Sequence, residues 1–202
     1  MRVSLLSGLL YLCTNIMILT SMPAAAAESA DQVLYMKHLE YEYNNRTVAY
    51  LSMKSAAKVL EGKPAGDFYQ AYFDMEVMSR TIYKRSAVLL NFDCQPNWVT
   101  RVRGHAGAFA ARFITFSPQS LINIIEPYIP KLEQLRDLAD AQHRGFFDYV
   151  LAQEQAQLVA SQIAKAEGWE QGAKVLRAFV DGIDIDKVMG VHGERMGENL
   201  GE

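Results

Sequence analysis

The sequence predicts an all-α protein, most simply an up-and-down helical bundle. Apolar residues recur at intervals of three and four along most of the chain, as they do on one face of an amphipathic helix. No clear run alternates apolar and polar residues as a half-buried strand does. The connections are short, glycine or proline marks most of them, and 50% of the residues are hydrophobic, which is enough for one core.

The first 27 residues predict an export signal that is cleaved. Arg2 precedes an apolar stretch at residues 5–20, and alanines occupy residues 24–27 before Glu28, the first acidic residue. A positive start, a short apolar stretch and a small-residue cleavage site are typical of a secretory signal peptide. The stretch has 16 residues, fewer than the roughly 20 of a membrane-spanning helix. We therefore expect an exported protein, periplasmic or secreted, without a stable membrane span.

The mature chain divides into predicted helices with recognisable ends. The second helix begins near Asp67, a suitable N-cap, and Ser117 followed by Pro118 predicts the start of the fourth. The sequence HRG at residues 143–145 is expected to break the chain between two helices, and Gly168 to end the later one. The predicted helices cover residues 31–61, 67–91, 98–116, 118–127, 130–142, 146–167 and 169–180.

These boundaries predict one helical domain at residues 28–181 and a tail at residues 182–202. The tail contains five glycines, so we expect it to be flexible and not part of the core. Only two cysteines occur, and Cys13 lies in the predicted signal. Cys94 is then the single cysteine of the mature chain, either a free thiol or one half of an intermolecular disulfide.

The middle of the chain is basic, although the whole chain has a net charge of −3. Between residues 77 and 125, six basic residues accompany one acidic residue, Asp93. This pattern predicts a site for a small anionic ligand or a face for a partner protein, which could be a second copy of the chain; solvated helix faces are the alternative. Nucleic acid is not expected, because aromatic residues do not interleave with the basic ones. The predicted binding residues are Arg80, Lys84, Arg101, Arg103 and Arg112.

Glu76 is a candidate metal ligand or acid–base residue, since it lies among tyrosines and methionines in the sequence YFDMEVMSRTIY. Rotation by 100° per residue places it about 80° from Phe68, off the centre of the apolar stripe. Because an unpaired buried carboxylate costs several kcal/mol, we expect Glu76 at the helix edge, paired with Arg80. Glu42 and Arg46 have the same spacing, and we expect that pair at the surface.

The Glu76 helix, with Tyr83 seven residues on, and the later helix FFDYVLAQEQAQLVASQIAKAEGW resemble those of the ferritin-like helical bundles. In that family two glutamates and two Glu-x-x-His motifs hold two metal ions, so the resemblance implies iron or manganese bound by Glu76 and Glu154. His105 is a further candidate ligand; otherwise it is a hydrogen-bonded core residue. The chain departs from the family because no glutamate has a histidine three residues later. A bundle without the metal centre is therefore also expected.

Motifs for other chemistries are missing from the sequence. It contains no G-x-S-x-G, H-E-x-x-H, C-x-x-C, phosphate loop or G-x-G-x-x-G. The chain thus lacks the usual signatures of serine hydrolases, zinc peptidases, thiol oxidoreductases and nucleotide enzymes. The leading hypothesis is an exported helical protein that binds a small ligand or a partner protein, and the alternative is a ferritin-like metal-binding protein or oxidoreductase with a degenerate site.

Overall fold

Helices make up the fold in the computed structural model, which describes residues 29–93, 95, 100, 102, 104–106 and 117–190. These residues form α-helices and short 3-10 turns and no strand, which confirms the all-α class. Residues 1–28, which include the predicted signal peptide, and residues 191–202 lie outside the described part. The α-helices described over their whole length are α1 (Ala30–Leu60), α2 (Gly66–Leu89), α3 (Pro118–Ile125), α4 (Ile129–Leu138), α5 (Arg144–Glu167), α6 (Trp169–Asp181) and α7 (Ile185–Val188). Residues 100, 102 and 104–106, within the predicted helix 98–116, are also helical.

Of two predicted helix starts, the one at Ser117 is confirmed and the one at Asp67 is wrong. Ser117 caps α3 as expected, because its hydroxyl accepts a hydrogen bond from the Ser120 amide and Pro118 occupies the first helical position. Asp67 is not the N-cap of α2, which begins one residue earlier with Ala65 at the cap position. The turn before α2 is closed instead by a backbone hydrogen bond from the Gly66 amide to the Lys63 carbonyl.

The region around residues 143–145 is helical and does not separate two helices by an open loop. A 3-10 turn at Ala141–His143 leads directly into α5, whose first residues are Arg144 and Gly145. Gly145 lies against α7: a Cβ at this position would lie 2.9 Å from the Val188 carbonyl oxygen. The glycine therefore permits a close approach of two helices, a role that its sequence neighbourhood does not reveal.

The first residues of the predicted tail are folded. Residues 182–190 include α7, and four of their side chains pack on the protein core: Ile183, Ile185, Val188 and Met189. The folded part of the chain thus extends past residue 181 to at least Met189. No helix within the described residues combines the length and the apolar character needed to cross a membrane.

The core consists of two apolar clusters, each built from the same three long helices. The first cluster takes residues from the second half of α1, the first half of α2 and the second half of α5, and also includes α3 and α6. The second takes the first half of α1, the second half of α2 and the first half of α5, and also includes α4. Because the order of the clusters reverses along α2, this helix runs opposite to α1 and α5.

Helix α6 closes the first cluster by packing on α2 and α5. At their contact, Gly172 lies so near that an added Cβ would be 2.5 Å from the Ala160 carbonyl oxygen and 2.8 Å from the Ala164 Cβ. Phe68 of α2 approaches the same point at 3.0 Å. A small residue is therefore required where the three helices meet, since the backbone of α5 cannot yield to a methyl group.

We expect Gly172→Ala to destabilise the protein by about 1–3 kcal/mol, because the added methyl group overpacks a filled core. Urea unfolding monitored by circular dichroism measures the change. Lys174→Ala, an exposed substitution on the same helix, is the control and should stay within about 0.5 kcal/mol of the wild type. Equal effects of the two substitutions would show that the close contact is absent.

Candidate functional site

A layer of buried polar residues separates the two apolar clusters. It lies halfway along each long helix, between apolar residues of one cluster and those of the other. Every member is less than a tenth exposed. Polar groups in such a place must satisfy one another, because water cannot do so. The layer consists of Glu42 and Arg46 from α1, Glu76 and Ser79 from α2, and Gln153, Glu154, Gln157 and Ser161 from α5.

The Arg46 guanidinium is the centre of this layer. Its Nη1 donates to Glu76 Oε1 at 2.9 Å, and its Nη2 donates to Glu154 Oε1. Its Nε lies 3.1 Å from Glu42 Oε1, one helical turn back on α1. This third contact is an ion pair without hydrogen-bond alignment, since Nε has no hydrogen-bond partner. One arginine thus binds a carboxylate from each of the three long helices.

Tyrosine hydroxyls supply further hydrogen bonds to the layer. Tyr83 donates to Glu42 Oε1 and Tyr128 donates to Glu42 Oε2, so both oxygens of this carboxylate are occupied. Ser79 lies 2.7 Å from the Tyr149 hydroxyl. These rings surround the charges with apolar surface while their hydroxyls face inward.

The two glutamines of α5 complete the layer. The Gln157 amide satisfies its neighbours when its nitrogen faces Glu154 Oε2 at 3.1 Å and its oxygen accepts from Gln153 Nε2 and Arg46 Nη1, each at 3.2 Å. Gln153 Nε2 also lies 3.4 Å from Glu76 Oε1, whereas Gln153 Oε1 has no hydrogen-bond partner. The network is therefore almost complete, with one buried acceptor left over.

The layer carries more negative than positive charge, with three carboxylates around one guanidinium. Burial raises the pKa of Glu76 to about 7 although Arg46 lowers it, and Glu154 and Glu42 raise it further. Burial likewise raises the pKa of Glu154 to about 7, against the effect of Arg46. Burial would lower the pKa of Arg46, but the three carboxylates raise it well above its usual value. Near neutral pH Glu76 and Glu154 are therefore each protonated for part of the time.

The structure corrects the predicted environment of Glu76. This residue is 1% exposed and pairs with Arg46, not at the helix edge with Arg80. Arg80 is exposed, and its guanidinium lies 4.2 Å from the centre of the Tyr50 ring. The prediction was wrong because it considered only partners on the same helix as Glu76. The partner that offsets the cost of burying this carboxylate comes from α1.

Glu42 and Arg46 do pair as predicted, but the predicted surface position is wrong, since Glu42 is fully buried and Arg46 is 7% exposed. A sequence signal for this existed. Leu39, Glu42 and Arg46 recur at intervals of three and four, and Met53 follows seven residues after Arg46. The two charged residues therefore lie on the stripe that α1 turns toward the core.

The predicted metal ligands are brought together only in part. Glu76 and Glu154 converge, but the guanidinium of Arg46 occupies the space between them. His105 is exposed, so it is neither a core residue nor part of the layer. No group of three or more histidine, cysteine, aspartate or glutamate side chains in the described part of the chain is arranged to hold a metal ion. The set Glu76, His105 and Glu154 is thus not assembled.

A cleft of about 280 Å³ opens on one side of the layer and is called here the α2 cleft. Arg46 and Glu76 line it together with the tyrosines Tyr43, Tyr50 and Tyr83. Arg80 and Lys84, two of the predicted binding residues, also line it and are exposed. Neither forms an ion pair with any residue that the structure describes. The other predicted residues, Arg101, Arg103 and Arg112, lie outside the described residues, as does Cys94.

A second cleft of about 280 Å³ lies on another side of Arg46, which lines both clefts. Glu154 and Gln157 line it, and Tyr41 and Tyr128 pack against each other in its wall with ring centres 5.6 Å apart. Lys131 lies over Tyr41, 5.8 Å from the ring centre. Each cleft thus has a cation over a tyrosine ring, Lys131 over Tyr41 in this one and Arg80 over Tyr50 in the α2 cleft. The α2 cleft is also lined by a second exposed cation, Lys84.

Comparison with known proteins leaves the chain without an assigned family. No protein-family model matches it, and neither do any curated proteins or solved structures. The resemblance to the ferritin-like bundles therefore stays a prediction. The geometry of the polar layer and of the α2 cleft is therefore what bears on function.

We expect Arg46→Met to destabilise the protein by about 3–5 kcal/mol, because three buried carboxylates lose their cation. The loss should be larger at pH 8 than at pH 5, since protonation of the glutamates relieves their repulsion. Urea unfolding at both pH values measures it. Arg80→Met, which removes an exposed arginine from α2, is the control and should cost less than about 1 kcal/mol. Similar losses for the two variants would contradict the central role of Arg46.

The raised pKa values predict a specific dependence of stability on pH. Because the pKa of Glu76 and that of Glu154 lie at about 7 in the folded protein, against an ordinary value of 4.5, the folded state binds more protons than the unfolded state between these values. Their contribution to the free energy of unfolding is therefore fully present below pH 4.5 and is lost as the pH rises to about 7, by up to about 1.4 kcal/mol per pH unit for each group.

Glu76→Gln should remove part of this dependence, so the variant should gain stability relative to the wild type as the pH rises from 5 to 7. Guanidinium unfolding across pH 5–8 provides the comparison. Glu167→Gln, an exposed substitution at the end of α5, controls for the loss of one negative charge. A stability difference between Glu76→Gln and the wild type that does not change with pH would refute a raised pKa of Glu76.

Proposed function

We propose that this protein is an exported binding protein that takes a small organic anion into the α2 cleft. The observation that carries the proposal is two exposed cations, Arg80 and Lys84, at a cleft with tyrosine walls; neither forms an ion pair with a described residue. Export is the expectation from residues 1–27 of the sequence. Binding rather than catalysis is proposed because the sequence contains none of the common catalytic motifs.

The chemistry of the cleft supports an anionic group joined to an apolar body. Arginine and lysine side chains donate several hydrogen bonds to a carboxylate or phosphate, and a charge-assisted hydrogen bond contributes about 1.5–3 kcal/mol. Tyr43, Tyr50 and Leu51 give the cleft mostly apolar walls. Sites for small ligands combine these two features, a largely apolar concave surface and a few charged groups.

The stacking of Arg80 on Tyr50 also supports the proposal. An arginine that lies over an aromatic ring, with its centre 4.2 Å away, keeps its guanidinium in one place while its hydrogen-bond donors stay free. A fixed cation binds an anion at a lower cost in side-chain entropy than a mobile one. Arg80 is therefore the residue expected to contribute most to affinity.

The proposal is tested with the double variant Arg80→Gln/Lys84→Gln. Calorimetry with a series of probes (the straight-chain carboxylates from acetate to octanoate, benzoate, phenylacetate and inorganic phosphate) identifies which of them the wild type binds. The double variant should bind the best of these probes at least about tenfold more weakly, a loss of about 1.4 kcal/mol or more. Added salt should weaken binding to the wild type, because both cations are exposed.

The matched control is Lys165→Gln/Lys174→Gln, which removes the same charge from exposed positions that do not line the cleft. Its affinity should equal that of the wild type. The proposal fails if no probe binds to the wild type. It also fails if the two double variants bind equally well, because the cleft cations would then contribute nothing.

A further inference from the structure

Three charged residues line the α2 cleft in a row along α2. Glu76, Arg80 and Lys84 are spaced by four residues and all line the cleft. Since a helix rises 1.5 Å per residue, the two cations lie about 6 Å and about 12 Å along the axis from the carboxylate. Glu76 is buried, whereas Arg80 and Lys84 are exposed. The row therefore places a negative charge in the depth of the cleft and positive charge toward its opening.

The two oxygens of Glu76 differ in their hydrogen bonds to the described residues. Its Oε1 accepts from Arg46 and lies near the Gln153 amide. No residue that the structure describes donates a hydrogen bond to Oε2, although the side chain is 1% exposed and lines the cleft. A carboxylate oxygen can accept a hydrogen bond from a ligand that enters the cleft, and Glu76 lines that cleft.

The charge of the polar layer specifies what kind of donor fits. Arg46 also lines the cleft, but its single positive charge is shared by Glu42, Glu76 and Glu154. The layer thus keeps an excess of negative charge once Arg46 is counted. A positively charged donor near Glu76 reduces this excess, whereas an anionic group there would increase it. The inner end of the α2 cleft therefore favours a cationic group of the ligand, and its opening favours an anionic group.

We propose that the ligand of the α2 cleft is a zwitterion, whose ammonium group binds Glu76 and whose anionic group binds Arg80 and Lys84. This inference rests on the proposed function, because it adds a second charged group to the same anionic ligand. The part of the ligand between the two groups lies against the rings of Tyr43 and Tyr50. Glu76 is then the residue that determines specificity, since it distinguishes a zwitterion from a simple anion.

Protons accompany this binding. Glu76 holds a proton for part of the time near neutral pH, because burial raises its pKa to about 7. An ammonium group stabilises the ionised carboxylate, so binding of a zwitterion should release a fraction of a proton to the solvent. A simple carboxylate favours the protonated form of Glu76 and should instead cause proton uptake. The sign of the proton change therefore separates the two kinds of ligand.

The experiment compares ω-amino acids with the parent acids that lack the amino group. The pairs run from 4-aminobutanoate and butanoate to 8-aminooctanoate and octanoate, a range that covers the distances from Glu76 to Arg80 and Lys84. Calorimetry at pH 7 in two buffers of different ionisation enthalpy gives both the affinity and the proton change. For the best-fitting length, the amino acid should bind at least about tenfold more tightly than its parent acid.

Glu76→Gln keeps the shape of the side chain and should reduce this preference below threefold without weakening the parent acid. Arg80→Gln/Lys84→Gln should weaken both members of a pair. The comparison of ligand pairs on the wild type needs no variant, so it decides the matter even if Glu76→Gln folds poorly. Parent acids that bind as tightly as amino acids would overturn the zwitterion and leave anion binding intact. If no acid binds, with or without an amino group, the proposed function itself fails.

Discussion

The contact of one guanidinium with three carboxylates is the constraint on which the structure depends. Arg46 reaches Glu42 on its own helix, Glu76 on α2 and Glu154 on α5, so it fixes the relative position of all three long helices. A shift of one helix by a residue would rotate its charge away by about 100° and leave a buried ion without a partner. Apolar contacts alone would tolerate such a shift more readily, because they are less directional.

The polar layer also explains why the core is divided. Each long helix carries apolar residues on both sides of its charged residue, and these residues form the two separate clusters. The tyrosines join them, since Tyr72 belongs to the first cluster and Tyr83 and Tyr128 to the second, while their hydroxyls face the layer. Tyrosine suits a position between an apolar cluster and the polar layer, because it buries a large ring and its hydroxyl still forms a hydrogen bond.

Two clefts lie where this layer meets the surface, the α2 cleft and the second cleft. Both clefts have Arg46 in their walls, and each contains one glutamate whose pKa is raised by burial: Glu76 in one and Glu154 in the other. The charges that hold the helices in place are therefore also the charges that a ligand would meet. The same few side chains therefore affect the stability of the fold, the dependence of that stability on pH, and the binding of a ligand.

Much of the fold was predictable from the sequence, because helix periodicity and helix ends are local properties. The intervals of three and four residues predicted the all-α class, and Ser117 with Pro118 predicted the start of α3. Arg80 and Lys84 were predicted as binding residues from charge alone, and the structure places both at one cleft. The close contact of Gly145 with α7 was not predictable, since Val188 lies more than 40 residues later in the chain.

The environment of each charged residue was decided only by the tertiary structure. The sequence determined that Glu42, Arg46, Glu76 and Glu154 lie on amphipathic helices, and it offered Glu42 and Glu76 a partner on their own helix, Arg46 and Arg80 respectively. In the folded protein Arg46 also binds Glu76 and Glu154, which lie 30 and 108 residues away from it in the chain. The cost of burying a charge depends on which opposite charge lies across the interface, and that distance exists only once the helices have packed.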